Sequence, residues 1–114
     1  ATVHGYLAKL EYNNTNILFT GDITQNIEKE ILKNQNIKSD ILKIAHHGSK
    51  TSTTDKFLKV VNPKIGLIGV GKNNLFNHPA LEVINRLNKF GTKIFRTDKN
   101  GEIIIHTNGK RLFY

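Results

Sequence analysis

Asp40-Ile-Leu-Lys-Ile-Ala-His-His-Gly-Ser-Lys-Thr-Ser-Thr53 is the stretch on which the reading of this chain turns. Asp40 to Ala45 is an apolar run of strand length. It ends in two adjacent imidazoles, His46 and His47, followed by Gly48 and a hydroxyl-rich tail. Burial of the apolar run explains the strand but not the histidines. Paired imidazoles at a strand end are costly unless each meets a polar partner or a metal.

Upstream, Tyr6 to Tyr12 alternates partially, Asn13-Asn14-Thr15 is a turn, and Asn16 to Thr20 is a second strand, so residues 6–20 read as a hairpin. After Gly21-Asp22 the period changes. Ile27, Ile31 and Leu32 fall on one helical face, with Glu28, Lys29, Glu30 and Lys33 as its solvated surround, and Asn34 to Asn36 ends the helix. Downstream, Ser52 or Thr53 is suited to cap a helix whose apolar face is Phe57, Leu58 and Val61, with Asp55 near its positive end. Asn62-Pro63 stops it. Ile65 to Val70 is too continuous for a one-faced strand and reads as central, covered on both sides. Gly71 to Asn77 is a polar loop. Pro79 suits the first turn of a helix, which places Asn77 or His78 at its cap. Leu81, Ile84 and Leu87 share that helix's apolar side, and Gly91 closes it. Lys93 to Arg96 is a strand and Thr97 to Gly101 a turn. Glu102 to His106 and Lys110 to Phe113 form a last hairpin around Asn108-Gly109. The order β-β-α-β-α-β-α-β-β-β describes one layered α/β domain over residues 1–114.

Composition narrows the function classes. The 114 residues contain no cysteine, which excludes disulfides and thiolate metal sites. No apolar stretch approaches the roughly 18 residues of a membrane span, and no signal peptide is visible. Ala1 begins in mid-pattern, as a piece of a longer protein would. The net charge is +8, carried by 14 Lys and three Arg against nine acidic residues. Such a surface attracts polyanions, although a Lys- and Asn-rich composition alone also produces it.

Three polar groups follow strands: Gly21-Asp22, His46-His47-Gly48-Ser49 and Asn77-His78. If the strands run parallel, all three share the carboxyl edge, where ligands gather in open α/β sheets. Asp22 is either a helix cap or a carboxylate metal ligand. The pair is either one core histidine bonded to a carbonyl and one on the surface, or one imidazole that binds a metal while the other orients it or touches substrate; His47 is the preferred ligand because Gly48 leaves room beside it. Ser49, Lys50, Thr51 and Ser52 offer hydroxyls, N–H groups and a cation at a helix start, as an oxyanion cradle or as simple capping. His78 reads as a cap, a proton donor, a phosphate contact or the second-choice ligand. His4 and His106 read as surface residues.

Thr-Gly-Asp-Ile (20–23), the stretch 40–52, Pro-Lys-Ile-Gly-Leu-Ile-Gly-Val-Gly-Lys-Asn-Asn-Leu-Phe-Asn-His-Pro (63–79) and Arg-Thr-Asp-Lys-Asn-Gly-Glu-Ile (96–103) occur in order. Together they resemble the carboxyl-terminal half of the metallo-β-lactamase-like domain of ComEC/Rec2 competence proteins, bacterial membrane channels for DNA uptake. The Gly-Asp pair is a weak signal; His-His-Gly-Ser with Asn-His-Pro at these spacings is strong. The resemblance implies an αββα sandwich of mixed sheets and flanking helices, holding two divalent metals, zinc or manganese. It implies that Asp22 bridges the metals and that His47 ligates one; with the residue reading above, Asp22, His46 and His78 are the catalytic candidates. On the same residue reading, Ser49, Lys50, Thr51, Ser52 and Asn77 are the candidate substrate contacts. The implied reaction is phosphodiester hydrolysis of single-stranded DNA.

The main metal motif of that fold, His-x-His-x-Asp-His or His-x-Asp-x-Asp-His, belongs to the amino-terminal half and is absent here. The expectation is a chain that is inactive alone, binds metal weakly or not at all, and needs the other half of the domain as partner. Half a sandwich also leaves an apolar sheet face to be covered, by that half or by self-association as a homodimer. The expected setting is a soluble domain of a bacterial cell-membrane protein, extracytoplasmic in preference. Two other readings stand beside it: a non-catalytic nucleic-acid-binding module, and another superfamily hydrolase acting on a phosphodiester lipid or choline ester.

Overall fold

A computed structural model describes residues 2–4, 7–34 and 36–114. The frame is a six-stranded mixed sheet whose spatial order follows the chain: β1 (Thr2–His4), β2 (Leu7–Tyr12), β3 (Thr15–Phe19), β4 (Ile41–Lys43), β5 (Ile65–Ile68) and β6 (Lys93–Arg96). β1 to β3 pair antiparallel and β3 to β6 pair parallel. The connections dictate this change. Asn13-Asn14 is long enough only for a hairpin, whereas α1 (Gln25–Asn34), α2 (Asp55–Val61) and α3 (Leu81–Lys89) supply the crossovers that parallel neighbours need. The carboxyl ends of β3 to β6 therefore share one edge. β1 was not foreseen; Tyr6, assigned to the first strand, and Gln35, assigned to the end of α1, lie outside the described residues.

Leu18, Leu42, Ile44 and Ile68 face the helices and pack with Ile31, Phe57, Leu58, Val61, Val83 and Leu87. The parallel register is fixed at both ends of the β3–β4 pair. Asn16 N–H donates to Asp40 Oδ2 and Asp40 N–H to Asn16 Oδ1, each at 3.0 Å. At the other end the Thr20 hydroxyl donates to the Lys43 carbonyl. A slip of one residue would break both clamps and turn the apolar face outward.

Several local expectations need correction. α2 is capped by Thr54, not by Ser52 or Thr53: its hydroxyl accepts from Phe57 N–H at 3.3 Å. Thr54→Ala should lower stability by about 1–2 kcal/mol, read as a lower urea midpoint with unchanged slope. α3 begins at Leu81, two residues after Pro79 and its cis peptide bond, so neither Asn77 nor His78 caps it. Its buried residues are Val83 and Leu87, while Leu81 is exposed. Glu28 is not on a solvated face. It is fully buried and accepts hydrogen bonds from Thr53 N–H, Thr54 N–H and the Thr54 hydroxyl.

The last segment also differs. Thr97–Asn100 is a single helical turn, α4, rather than an irregular turn. The hairpin around Asn108-Gly109 keeps only β7 (His106–Thr107) and β8 (Leu112–Phe113). Residues 102–105 are instead laid over the second sheet face. There Ile103, Ile105 and Leu112, with Leu10, Tyr12, Ile17, Ile41 and Leu67, line a cavity of 170 Å³. The hairpin tip rests on the β2–β3 turn, where Asn14 N–H donates to Gly109 O at 2.9 Å. Gly109 has φ 87°, and a Cβ there would lie 3.0 Å from Asn13 Cβ, so a side chain at this position would be strained. β5 is thus interior and covered on both sides, as its continuous apolar run indicated. The covering of the second face is partial: Leu10, Tyr12 and Phe19 stay exposed.

Candidate functional site

Immediately beyond β4 the chain makes a tight turn over Ala45–Gly48 in which two consecutive non-glycine residues are left-handed: His46 at φ 51° and His47 at φ 55°. L-residues there cost about 1–2 kcal/mol each, so the surroundings must hold them. Three segments do so. His46 N–H donates to Gly21 O, Ser49 N–H to His46 O, and Ala80 N–H to Gly48 O, all at 2.9 Å. Gly48 itself has φ 85° and lies where a Cβ would meet Pro79 Cβ at 2.5 Å. The Gly21-Asp22, His-His and His78-Pro79 segments are thereby stitched to one another.

The two histidines differ. His47 is exposed, with Nδ1 2.6 Å from Gly69 O. A carbonyl can only accept, so Nδ1 carries a proton, which leaves Nε2 as the nitrogen that can offer a lone pair. His46 is half-buried. Its Nδ1 is buried and lacks a hydrogen-bond partner, an omission worth about 1–3 kcal/mol. The His46 ring meets His78 edge-on, centroids 5.8 Å apart, and His78 stacks against Phe76 at 5.7 Å. Burial, then the neighbouring His46 and His47, hold the His78 imidazole below its usual pKa, so it is neutral near pH 7 and able to accept a proton.

Asp22 is exposed in the loop after β3. α1 starts three residues later at Gln25, so the carboxylate does not cap it. The Lys43 amine was missed from sequence. It is half-buried on the second sheet face beside Gly69, where a Cβ would come within 3.3 Å of Nζ. Burial lowers its pKa from the usual lysine value, against the opposing pull of the Asp22 carboxylate. The available signal was a lone charge inside the apolar run Ile41 to Ala45.

Ser49 to Ser52 precede α2 rather than start it. The N–H groups of Thr53 and Thr54 are already taken by Glu28. Ser49 is buried with its hydroxyl 2.9 Å from that of Thr51, and the buried Ser52 hydroxyl donates to Ile23 O. Lys50 and Thr51 are exposed and, with Phe76, Asn77 and His78, line a cleft of 320 Å³. His106 is exposed in β7, away from this edge; the side chain of His4 lies outside what is described.

The donor set fits part of a divalent-metal site. The His47 Nε2 lone pair, the unpartnered His46 Nδ1 and the exposed Asp22 carboxylate are suitable ligands. Among the described residues, however, no three His, Asp or Glu side chains are grouped to hold an ion. The ligand set is incomplete within them.

The sheet is mixed, with helices on one face and histidines and an aspartate at its carboxyl edge, and comparison with known proteins gives its family. The profile of the metallo-β-lactamase superfamily matches residues 2–72. ComE operon protein 3 of Bacillus subtilis is 41% identical over 87 residues, 75% of this chain and 11% of that protein. Competence protein ComA of Neisseria gonorrhoeae is 35% identical over 89 residues, 76% of this chain and 13% of its own length. Recombination protein 2 of Haemophilus influenzae is 28% identical over 109 residues, 96% of this chain and 14% of its own. The chain belongs to the metallo-β-lactamase superfamily, in the branch formed by the ComEC/Rec2 competence proteins. It spans only 11–14% of the length of these three relatives.

Proposed function

We propose that this chain is the later half of a metal-dependent phosphodiesterase domain in a bacterial DNA-uptake protein, acting on single-stranded DNA and inactive alone. The observation that carries the reading is the strained His46–His47 turn, fixed between the Gly21-Asp22 and His78-Pro79 segments. Left-handed backbone at two adjacent non-glycine residues is retained where geometry matters to function. Competence appears in the name of one relative and recombination in that of another, and the +8 charge suits a nucleic-acid substrate.

In this reading Asp22 and His47 hold divalent metal together with ligands from the preceding half of the domain. Metals so placed supply positive charge against a phosphoryl oxygen and make water acidic enough to attack at neutral pH. His47 is pre-oriented by Gly69 O, His46 orients it or touches substrate, and neutral His78 accepts or returns a proton at the same edge. Lys50, Thr51 and Asn77 face the cleft where the DNA phosphate would lie. The uncovered part of the second sheet face receives the preceding half; in its absence the chain is expected to self-associate there, and light scattering showing only monomer at high concentration would count against that. Among the described residues no helix is long and apolar enough to cross a membrane. The domain is read as lying beside the membrane, on its extracytoplasmic side.

The test compares this chain with the same chain joined to the preceding half, each given Mn²⁺ or Zn²⁺ and labelled single-stranded DNA. Cleavage is expected only from the joined form, with at least a hundredfold loss in Asp22→Asn. Binding without cleavage in the joined form would favour a non-catalytic nucleic-acid-binding module instead.

A further inference from the structure

Phe76 is 78% exposed and its neighbour Leu75 94% exposed, in a loop that composition marked only as polar. The ring is nonetheless positioned. Asn74 Nδ2 donates to Gly71 O at 3.2 Å and to His78 O at 2.7 Å, and His78 N–H donates to Asn74 Oδ1 at 2.8 Å. One asparagine thus closes the loop on itself, and Phe76 lies nearly parallel to His78, interplanar angle 26°. The residue is not filling a core. It lines the 320 Å³ cleft together with the exposed Lys50 and Thr51.

A flat aromatic face beside a cation and hydroxyls is the arrangement that holds single-stranded nucleic acid: the base stacks on the ring while the phosphate meets the charge. In a duplex the bases are already stacked on one another and cannot use it. We infer that Phe76 is a base-stacking platform that gives the site its preference for single strands, with the adjoining phosphate on Lys50 and Thr51. This deepens the nuclease reading and rests on DNA being the substrate. Glu82 also lines the cleft, and its carboxylate would turn a phosphate toward the Lys50 side.

The experiment is a binding titration of the 114-residue chain, independent of cleavage. The probes are a fluorescein-labelled deoxythymidine 12-mer, an abasic strand of the same length and charge, and the corresponding duplex. A stacked base contributes enough that Phe76→Ala should weaken the 12-mer about five- to a hundredfold. The abasic strand and the duplex should change less than about twofold, and Phe76→Trp should restore or exceed wild-type affinity for the 12-mer. Equal losses on the intact and abasic strands would show that Phe76 acts through the loop and not through a base, and would overturn the proposal. So would unchanged 12-mer affinity in Phe76→Ala, or a wild-type chain that binds intact and abasic strands alike. Failure of cleavage in the joined domain would strike the nuclease reading and leave this comparison standing.

Discussion

Gly48→Ala is expected to destabilise the domain by about 2–4 kcal/mol, more than any other substitution of comparable size at the candidate site. Two independent costs add. Alanine at φ 85° is strained wherever it stands, at about 1–2 kcal/mol. Its Cβ would also come within 2.5 Å of Pro79 Cβ and 2.9 Å of Pro79 Cα. The second atom is backbone, so relief requires the 78–80 segment to move. That segment carries His78 and the Ala80 N–H bonded to Gly48 O. The expected signature is therefore a lower urea midpoint together with a shifted His78 imidazole resonance. A variant of wild-type stability with unmoved His78 signals would show that the close packing of Gly48 on Pro79 is not real.

Glu28→Ala is expected to cost about 2–4 kcal/mol, because it removes the acceptor of two backbone N–H groups and a hydroxyl, of which the Thr53 N–H is buried away from water. Thr53, itself left-handed at φ 58°, would lose the partner that fixes it, and the 49–54 loop should loosen. Amide exchange at Thr53 and Thr54 would report this directly. The pH dependence has a definite sign. Desolvation raises the Glu28 pKa above the ordinary 4.5, outweighing the bonds from Thr54 and Thr53 and the Arg86 charge that lower it. The folded state thus holds its proton longer than the unfolded state. Below pH 4.5 the carboxyl is neutral in both and burial of charge costs nothing. As pH rises through the raised folded value, that cost enters and the contribution of Glu28 to stability declines. Wild type should lose ground against Glu28→Gln over this window, whereas the opposite slope would mean a carboxyl held below its ordinary range.

Much of the layout was legible in the sequence because it depends on local signals. The change of period after Gly21, the Asn13-Asn14 turn and the breaks at Asn62-Pro63 and Gly91 mark elements without tertiary context. They also place Asp22, the histidine pair and His78 on one edge. What escaped depends on partners distant in the chain. Glu28 has the spacing of a surface residue, and only the arrival of Thr53 and Thr54 makes burial tolerable. Thr54 caps α2 rather than Ser52 because the Ser52 hydroxyl is drawn to Ile23 O. Residues 102–105 have strand composition but pair with no strand, and Ile103 and Ile105 lie over the second face instead. Phe76 was hidden by its polar neighbours, which form the scaffold that presents it. The left-handed histidines had a signal in Gly48, but the direction of the turn is set by Gly21 O and Ala80 N–H, which sequence alone does not bring together.

The central claim is that Asp22 and His47 are part of a metal site completed outside the described residues. Metal content after equilibrium dialysis against Mn²⁺ or Zn²⁺, measured by mass spectrometry, tests it most directly. The chain joined to the preceding half of its domain should retain two ions, Asp22→Ala and His47→Ala in that form should each lose at least one, and the chain alone should retain less than one. Two tightly held ions on the chain alone, or full retention in the joined form without Asp22 and His47, would contradict the account.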